Sequence, residues 1–377
     1  MIYLDNAATS FPKPKETIDH LNRFISEIGG NPGRSGHSLS VDAARVMFEA
    51  REKLTEFING DDSERLIFTQ NGTESLNLAI LGLLKDKCHV ITTSLEHNSV
   101  MRPLMFLMKE RGVELSIVHC DPSGTLDMDA MAKMIRKDTR AVIINHGSNV
   151  IGSVQPLGEI KRAIGDIFLI VDACQTIGTV PIDIKKDNVD IICFSCHKSL
   201  FAIQGLGALY IREGIEPTPL KFGGTGSKSE SMEHPEFLPD RYECGTPNTP
   251  GISSLLGGLS FIEKEGLTRI SKRKMEIRER FIRGLSGIDR IIIYGNSTVG
   301  SSIPVISFNI GGKLPSEVGY ALNQGEIYVR VGLQCSPIAH KTIGTFPEGT
   351  VRVSPGYFTT NEEAETFLEA VKNIAGQ

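Results

Sequence analysis

Between Leu66 and Ile211, short apolar and β-branched runs recur, separated by stretches in which apolar positions return every three or four residues. The runs are Leu66 to Thr69, Val90 to Thr93, Leu115 to His119, Val142 to Asn145, Phe168 to Asp172, Ile191 to Ser195 and Ala208 to Ile211. Strands covered on both faces read as apolar throughout rather than alternating, and amphipathic segments between them supply crossover helices. The pattern therefore predicts a seven-stranded, mainly parallel α/β sheet. Helical spacing is clearest over Val41 to Ile58, Thr73 to Leu84 and Asp127 to Ile135. The second of these is apolar nearly all round, which predicts burial. From Phe222 to Asn248 the chain is rich in Gly, Ser, Pro and charge and reads as a long loop. Beyond about residue 256 the pattern becomes a long charged helix, Phe261 to Leu285, then strands near Ile291 and Val305, then a terminal helix from Asn361. The expected division is a large domain over 16–255 and a smaller α/β domain made of 1–15 and 256–377.

Composition narrows the partners more than the fold. The 377 residues suffice for one or two domains with a sizeable core. Forty Lys and Arg stand against 45 Asp and Glu, so the net charge of -5 offers no field for a nucleic-acid backbone. The longest apolar stretches, Ala79 to Leu84 and Phe168 to Val171, fall far short of the roughly 18 residues that span a bilayer. Met1 to Asn6 lacks the basic start and apolar core of a secretion signal. Seven cysteines, an odd number in a chain this long, fit reduced thiols in a cytosol better than a disulfide framework. A cytoplasmic protein binding neither nucleic acid nor membrane is expected.

In a doubly wound sheet, ligands gather at the carboxyl ends of the strands. The first run is followed by Gln70-Asn71-Gly72-Thr73-Glu74 opening a helix, which could hold a phosphate on free backbone N–H groups or be an ordinary cap by Thr73. His97 follows the second run, and Asn149 lies in the polar loop after the fourth. Asp172 ends the fifth, where an unpaired carboxylate is costly to bury and calls for a cation or strong hydrogen bonds. The sixth ends in Ser195-Cys196-His197-Lys198. A lysine beside an acid at adjoining strand ends fits a pyridoxal phosphate site, the amine binding the aldehyde and the acid keeping the pyridine nitrogen protonated. Cys193 and Cys196 have metal-type spacing, but no second ligand pair accompanies them, so no metal is expected.

Taken in order, Tyr3-Leu-Asp-Asn-Ala-Ala-Thr, Phe68-Thr-Gln-Asn-Gly-Thr-Glu-Ser-Leu-Asn, Glu96-His-Asn-Ser, Val171-Asp-Ala-Cys-Gln-Thr-Ile-Gly, Ser195-Cys-His-Lys, Gly245-Thr-Pro-Asn-Thr and Val351-Arg-Val-Ser form a recognisable series. The chain resembles, over essentially its whole length, the cysteine desulfurases of the class V aminotransferase group, which are fold type I pyridoxal phosphate enzymes. The resemblance implies that Lys198 binds the cofactor covalently and later moves protons, that Asp172 pairs with the pyridine nitrogen, and that His97 stacks on the ring and assists proton transfer. It places Gln175 and Asn149 near the ring hydroxyl and substrate, and Gly72, Thr73, Ser195 and His197 around the phosphate. Thr246 would reach the phosphate from a neighbouring subunit, implying a homodimer with shared active sites. Arg352 matches the arginine that forks onto the substrate carboxylate, with Arg330 a second cation.

The cofactor alone does not choose the reaction. Cys335, in Val331-Gly-Leu-Gln-Cys-Ser-Pro-Ile-Ala-His, stands at the position of the family's sulfur-accepting cysteine. An unperturbed thiol with a pKa of about 8.5 is only slightly ionised at neutral pH, so its setting matters. The resemblance implies conversion of L-cysteine to L-alanine, a persulfide on Cys335 and a sulfur-acceptor protein. Cys196 stands where the family commonly has glycine, which leaves a second reactive thiol open. Gln334 precedes the nucleophile where one branch often has histidine, and the compact 335–352 segment resembles the branch with a short, more ordered nucleophile loop. The alternatives are a selenocysteine lyase or aminotransferase on the same cofactor and, from another class, a noncatalytic sulfur-relay scaffold. A nicotinamide dehydrogenase is set aside because no GxGxxG opens the sheet.

Overall fold

The computed structural model describes residues 1–33, 36–295 and 302–376. Strands are numbered β1 (Ile2–Tyr3), β2 (Leu66–Thr69), β3 (His89–Thr93), β4 (Glu114–Val118), β5 (Thr139–Asn145), β6 (Phe168–Asp172), β7 (Ile191–Ser195), β8 (Gly207–Ile211), β9 (Ile291–Tyr294), β10 (Ile306–Ile310), β11 (Ile327–Tyr328), β12 (Arg330–Gly332) and β13 (Thr350–Val353). The seven expected runs form one sheet in the order β2-β8-β7-β6-β5-β3-β4. Only β8 runs against its neighbours, so β2, β3, β5, β6 and β7 all deliver their carboxyl ends to one edge.

Both faces of this sheet are covered, which is why the strands are apolar at every position. Val142, Ile144, Leu169 and Val171 join one apolar core, while Ala141, Ile143 and Ile170, on the opposite face, join another. The Gly72–Leu83 helix is apolar nearly all round because it packs between β7, β8 and the Asn98–Arg111 helix. A separate core of Leu4, Phe281, Phe308, Val351, Val353 and Phe367 lies under a second, antiparallel sheet, β12-β13-β10-β9. Strand β1 pairs in parallel with β11 and ties the start of the chain to this second unit.

Two features differ from the sequence pattern. The charged helix expected over Phe261 to Leu285 is two helices, Thr249–Glu265 and Leu267–Ser286. Gly266, at φ 81°, ends the first, its N–H bonding Ile262 O at 2.8 Å. The first of these helices also begins earlier, capped by Asn248, whose side chain accepts from Gly251 N at 3.1 Å. Strands β1, β11, β12 and β13 escaped the pattern because they are two to four residues long. The 222–248 stretch holds only turns and bends, as its composition suggests. No helix among the described residues is long and apolar enough to cross a membrane.

Candidate active site

Five strand ends converge on one cleft. Asp172 closes β6, and β7 beside it runs on through Ser195 to His197 and Lys198. Asp172 and Lys198 line the same cavity, and so do Gly72, Thr73, His97, Asn149, Gln175, Ser195 and His197. Asp172 is buried, with Oδ1 accepting from Cys174 N at 2.9 Å. The turn carrying Lys198 is pinned from the N-terminal segment: His197 O accepts from Lys13 Nζ at 2.7 Å, Ser10 Oγ at 3.1 Å and Thr9 Oγ1 at 3.2 Å. Burial lowers the Lys13 amine to about 7. Gln175 is held by Ala7 O, to which its Nε2 donates at 3.0 Å.

The turn after β2 is capped by Asn71 rather than Thr73: Asn71 Oδ1 accepts from Glu74 N at 2.9 Å. That spares the Thr73 hydroxyl, which bonds Ser99 Oγ at 2.7 Å on the facing helix. Gly72 is required by space, since a Cβ there would lie 2.4 Å from Cys174 Sγ and 3.3 Å from Ser195 N. Ser195 Oγ and His197 Nδ1 are buried without a hydrogen-bond partner in the chain, a costly state for polar atoms. Burial, then the Lys198 and Lys13 charges, lower His197 to about 4. His97 caps the Asn98–Arg111 helix, its Nδ1 accepting from Ser99 N at 3.1 Å, which places the proton of the neutral ring on Nε2. Burial lowers its pKa against the opposing pull of Asp172.

Cys335 is exposed, in a groove that also includes Thr73 and His97 and so adjoins the cleft. By contrast Cys196 is fully buried, and burial pushes its thiol up, away from the reactive thiolate. Besides Cys335, three expected site residues lie outside the cleft lining. Arg352 sits behind Asn149, with Nη1 donating to Asn149 O at 3.0 Å and Nη2 paired with Asp5 Oδ1 at 2.6 Å, while its Nε has no partner. Exposed Arg330 faces Arg352 across β12 and β13. Thr246 borders another depression with Gly205 and Lys221. Among the described residues, no cluster of His, Cys, Asp and Glu could hold a metal ion.

The chain has known relatives. The family model for aminotransferase class V matches residues 2–367. The chain belongs to the class V aminotransferase family. Relatives in that family include a probable cysteine desulfurase of Pyrococcus abyssi, 35% identical over 99% of this chain and 94% of its own. Another, of Methanothermobacter thermautotrophicus and also named a probable cysteine desulfurase, is 33% identical over 100% and 95%. The solved apo structure of a cysteine desulfurase from Thermococcus onnurineus superposes with a TM-score of 0.93 at 33% identity, covering 100% of this chain and 94% of that one.

Two carboxylates within the quoted motifs, Asp5 and Glu96, have roles that local sequence does not reveal. Asp5 is 347 residues from the arginine it neutralises. Glu96 is fully buried beneath Asp172: Oε1 accepts from Thr93 Oγ1 at 2.6 Å and from Asn145 N at 3.0 Å, and Oε2 has no partner. Asn145 is the register neighbour of Asp172. Burial, reinforced by the Asp172 charge, pushes the Glu96 carboxyl up to about 8, despite the hydrogen bonds from Thr93 and Asn145. The folded chain thus holds a proton there that the unfolded chain has lost. The resulting stabilisation is complete below an ordinary glutamate pKa near 4.5 and disappears as pH rises through about 8. Glu96→Gln, neutral at every pH, is expected to melt at or below the parent at pH 5 and to gain on it by a few degrees by pH 8. Parallel melting curves across that range would show that Glu96 is charged in the fold.

Proposed function

We propose that this protein is a pyridoxal phosphate-dependent cysteine desulfurase. It converts L-cysteine to L-alanine and leaves the sulfur as a persulfide on Cys335. The observation that carries the reading is the meeting of Lys198 and Asp172 in one cleft with an exposed cysteine at its mouth. The polar groups there fit the cofactor. The unpaired Ser195 Oγ and His197 Nδ1, with Thr73 and the backbone at Gly72, would hold the phosphate. Asp172 would hold the pyridine nitrogen, Lys198 the aldehyde carbon, His97 the ring face and Gln175 the ring hydroxyl.

When bound, the cofactor supplies an electron-accepting ring that stabilises negative charge developing beside the substrate Cα. The chain supplies the rest. Asp172 keeps a proton at the ring nitrogen, and Lys198 Nζ takes the Cα proton and returns it to the departing alanine. Arg352, already oriented by Asp5, directs its remaining N–H groups at the substrate carboxylate, alongside Asn149 and with Arg330 behind. The Cys335 thiolate attacks the substrate sulfur, an S–S bond forms as the cysteine C–S bond breaks, and the electron pair of that bond stays with the substrate carbon, which takes up a proton on the way to alanine.

The same reading divides the chain into a cofactor-binding domain, 16–255, and a smaller domain, 1–15 with 256–377, that carries the nucleophile. The separate core under the second sheet supports a second unit, while Leu256, Leu259, Phe261 and Ile262, just beyond residue 255, pack in the large core. Thr246 lies away from this chain's own cleft, in keeping with a homodimer in which it serves the partner's phosphate. The persulfide would pass to an acceptor protein in the cytoplasm.

Incubation with L-cysteine, with alanine assayed and persulfide mapped by mass spectrometry, tests the whole assignment. Expected are alanine without any keto acid and one added sulfur, on the peptide bearing Cys335. A requirement for a keto acid and a new amino acid product would instead make the protein an aminotransferase.

A further inference from the structure

Cys335 and the residue before it both lie in the left-handed backbone region, at φ 60° and 42°. Non-glycine residues stay there only when their surroundings hold them. The surroundings of this pair are unusually complete. Gln334 is buried, its Oε1 accepting from His340 Nε2 at 2.7 Å and its Nε2 donating to Thr350 O at 3.1 Å. His340 is fully buried, and its Nδ1 accepts from Thr345 Oγ1 at 2.7 Å, so the ring is fixed in one tautomer. Burial also lowers its pKa to about 4, which keeps it neutral. On the backbone side, Gln334 O accepts from Asn149 Nδ2 at 2.8 Å, and Ser336 Oγ donates to Asn149 Oδ1 at 2.8 Å. Cys335 O accepts from Asn98 N at 2.8 Å, next to His97. The backbone on both sides of the thiol is fastened, yet the cysteine itself is exposed. The chemistry proposed above uses neither Gln334, His340 nor Ser336.

We propose that Gln334, fixed by His340 and Thr350, is a positioning residue that holds the nucleophile turn so that Cys335 is presented at the mouth of the cleft. Asn149 ties the same turn to the substrate side through both ends of its amide. The ordering of the turn is thereby met during folding and not at each encounter with substrate. The inference rests on the reading of Cys335 as the sulfur acceptor.

Gln334→Met keeps the length of the side chain and removes its amide, while Gln334→Glu keeps the acceptor for His340. In the cofactor-loaded protein, Gln334→Met is expected to leave the visible spectrum, cofactor content and KM for cysteine unchanged. Single-turnover persulfide formation should fall about tenfold or more, as misplacement of a reacting group predicts. Alkylation of Cys335 by iodoacetamide, which needs no cofactor chemistry, should become several-fold faster as the turn loosens. Gln334→Glu keeps the acceptor for His340 but sets an oxygen against Thr350 O, so it should recover only part of the persulfide rate. Persulfide formation and alkylation both within twofold of the parent would overturn the proposal, as would a loss of cofactor binding in step with the loss of rate. Cys335→Ala serves as the reference: persulfide still formed in it defeats the functional reading itself, whereas persulfide abolished there beside a silent Gln334→Met defeats only the positioning role.

Discussion

Lys198→Ala is expected to remove the visible absorbance of the purified protein and to lower alanine formation from cysteine by about 10²–10⁴-fold, the range in which a positioned acid–base group contributes. The lysine has two duties in the proposed chemistry, holding the cofactor carbon and carrying the Cα proton, and no other amine in the cleft lining can take over either. Lys13, which bonds the same turn, has its Nζ committed to Ser10 Oγ and His197 O. The fold should survive, because Lys198 lines a cavity and, among the described residues, makes no hydrogen bond or ion pair through its side chain. Melting temperature without cofactor checks that, and the absorption spectrum with titrated cofactor checks the site. A variant that kept both colour and turnover would remove Lys198 from the mechanism.

Cys335→Ala is expected to do something quite different. The absorbance should persist, since the thiol lies in the adjoining groove and not among the groups lining the cleft. Alanine and persulfide formation should fall by about 10²-fold or more, as when the nucleophile of a concerted constellation is deleted. An aminotransferase on the same scaffold would lose little from this change and as much from Lys198→Ala. The two variants together therefore distinguish sulfur chemistry from amino-group chemistry, and neither result depends on identifying the acceptor.

Much of this architecture is legible in the amino-acid order, and the reason is burial. Strands covered on both faces, such as 142–145 and 168–172, leave an unmistakable apolar run, and the residues just beyond each run are the ones that meet at the cleft. What escapes is whatever depends on distant partners or on single residues. Gly266 breaks a helix whose flanking spacing is continuous, and Asn71 takes the cap from Thr73 by one hydrogen bond. The Asp5–Arg352 pair and the Asn149 bridge to residues 334 and 336 join segments more than 180 residues apart, and no local pattern encodes them. Arg352 is legible as a carboxylate-binding arginine only through its motif; that it is anchored from behind is a tertiary fact.

The pairing of Ile2–Tyr3 with Ile327–Tyr328, and of Asp5 with Arg352, also sets a timetable for biosynthesis. At ribosomal speeds of roughly 5–20 residues per second, the first segment emerges tens of seconds before its mates exist. The nascent chain can assemble the seven-stranded layer while the Ile2–Asp5 segment waits, and Arg352 meets its counter-charge only after that layer is made. A half-made polypeptide therefore already holds the residues that line the cleft but neither Cys335 nor Arg352, and the proposed sulfur chemistry waits for both.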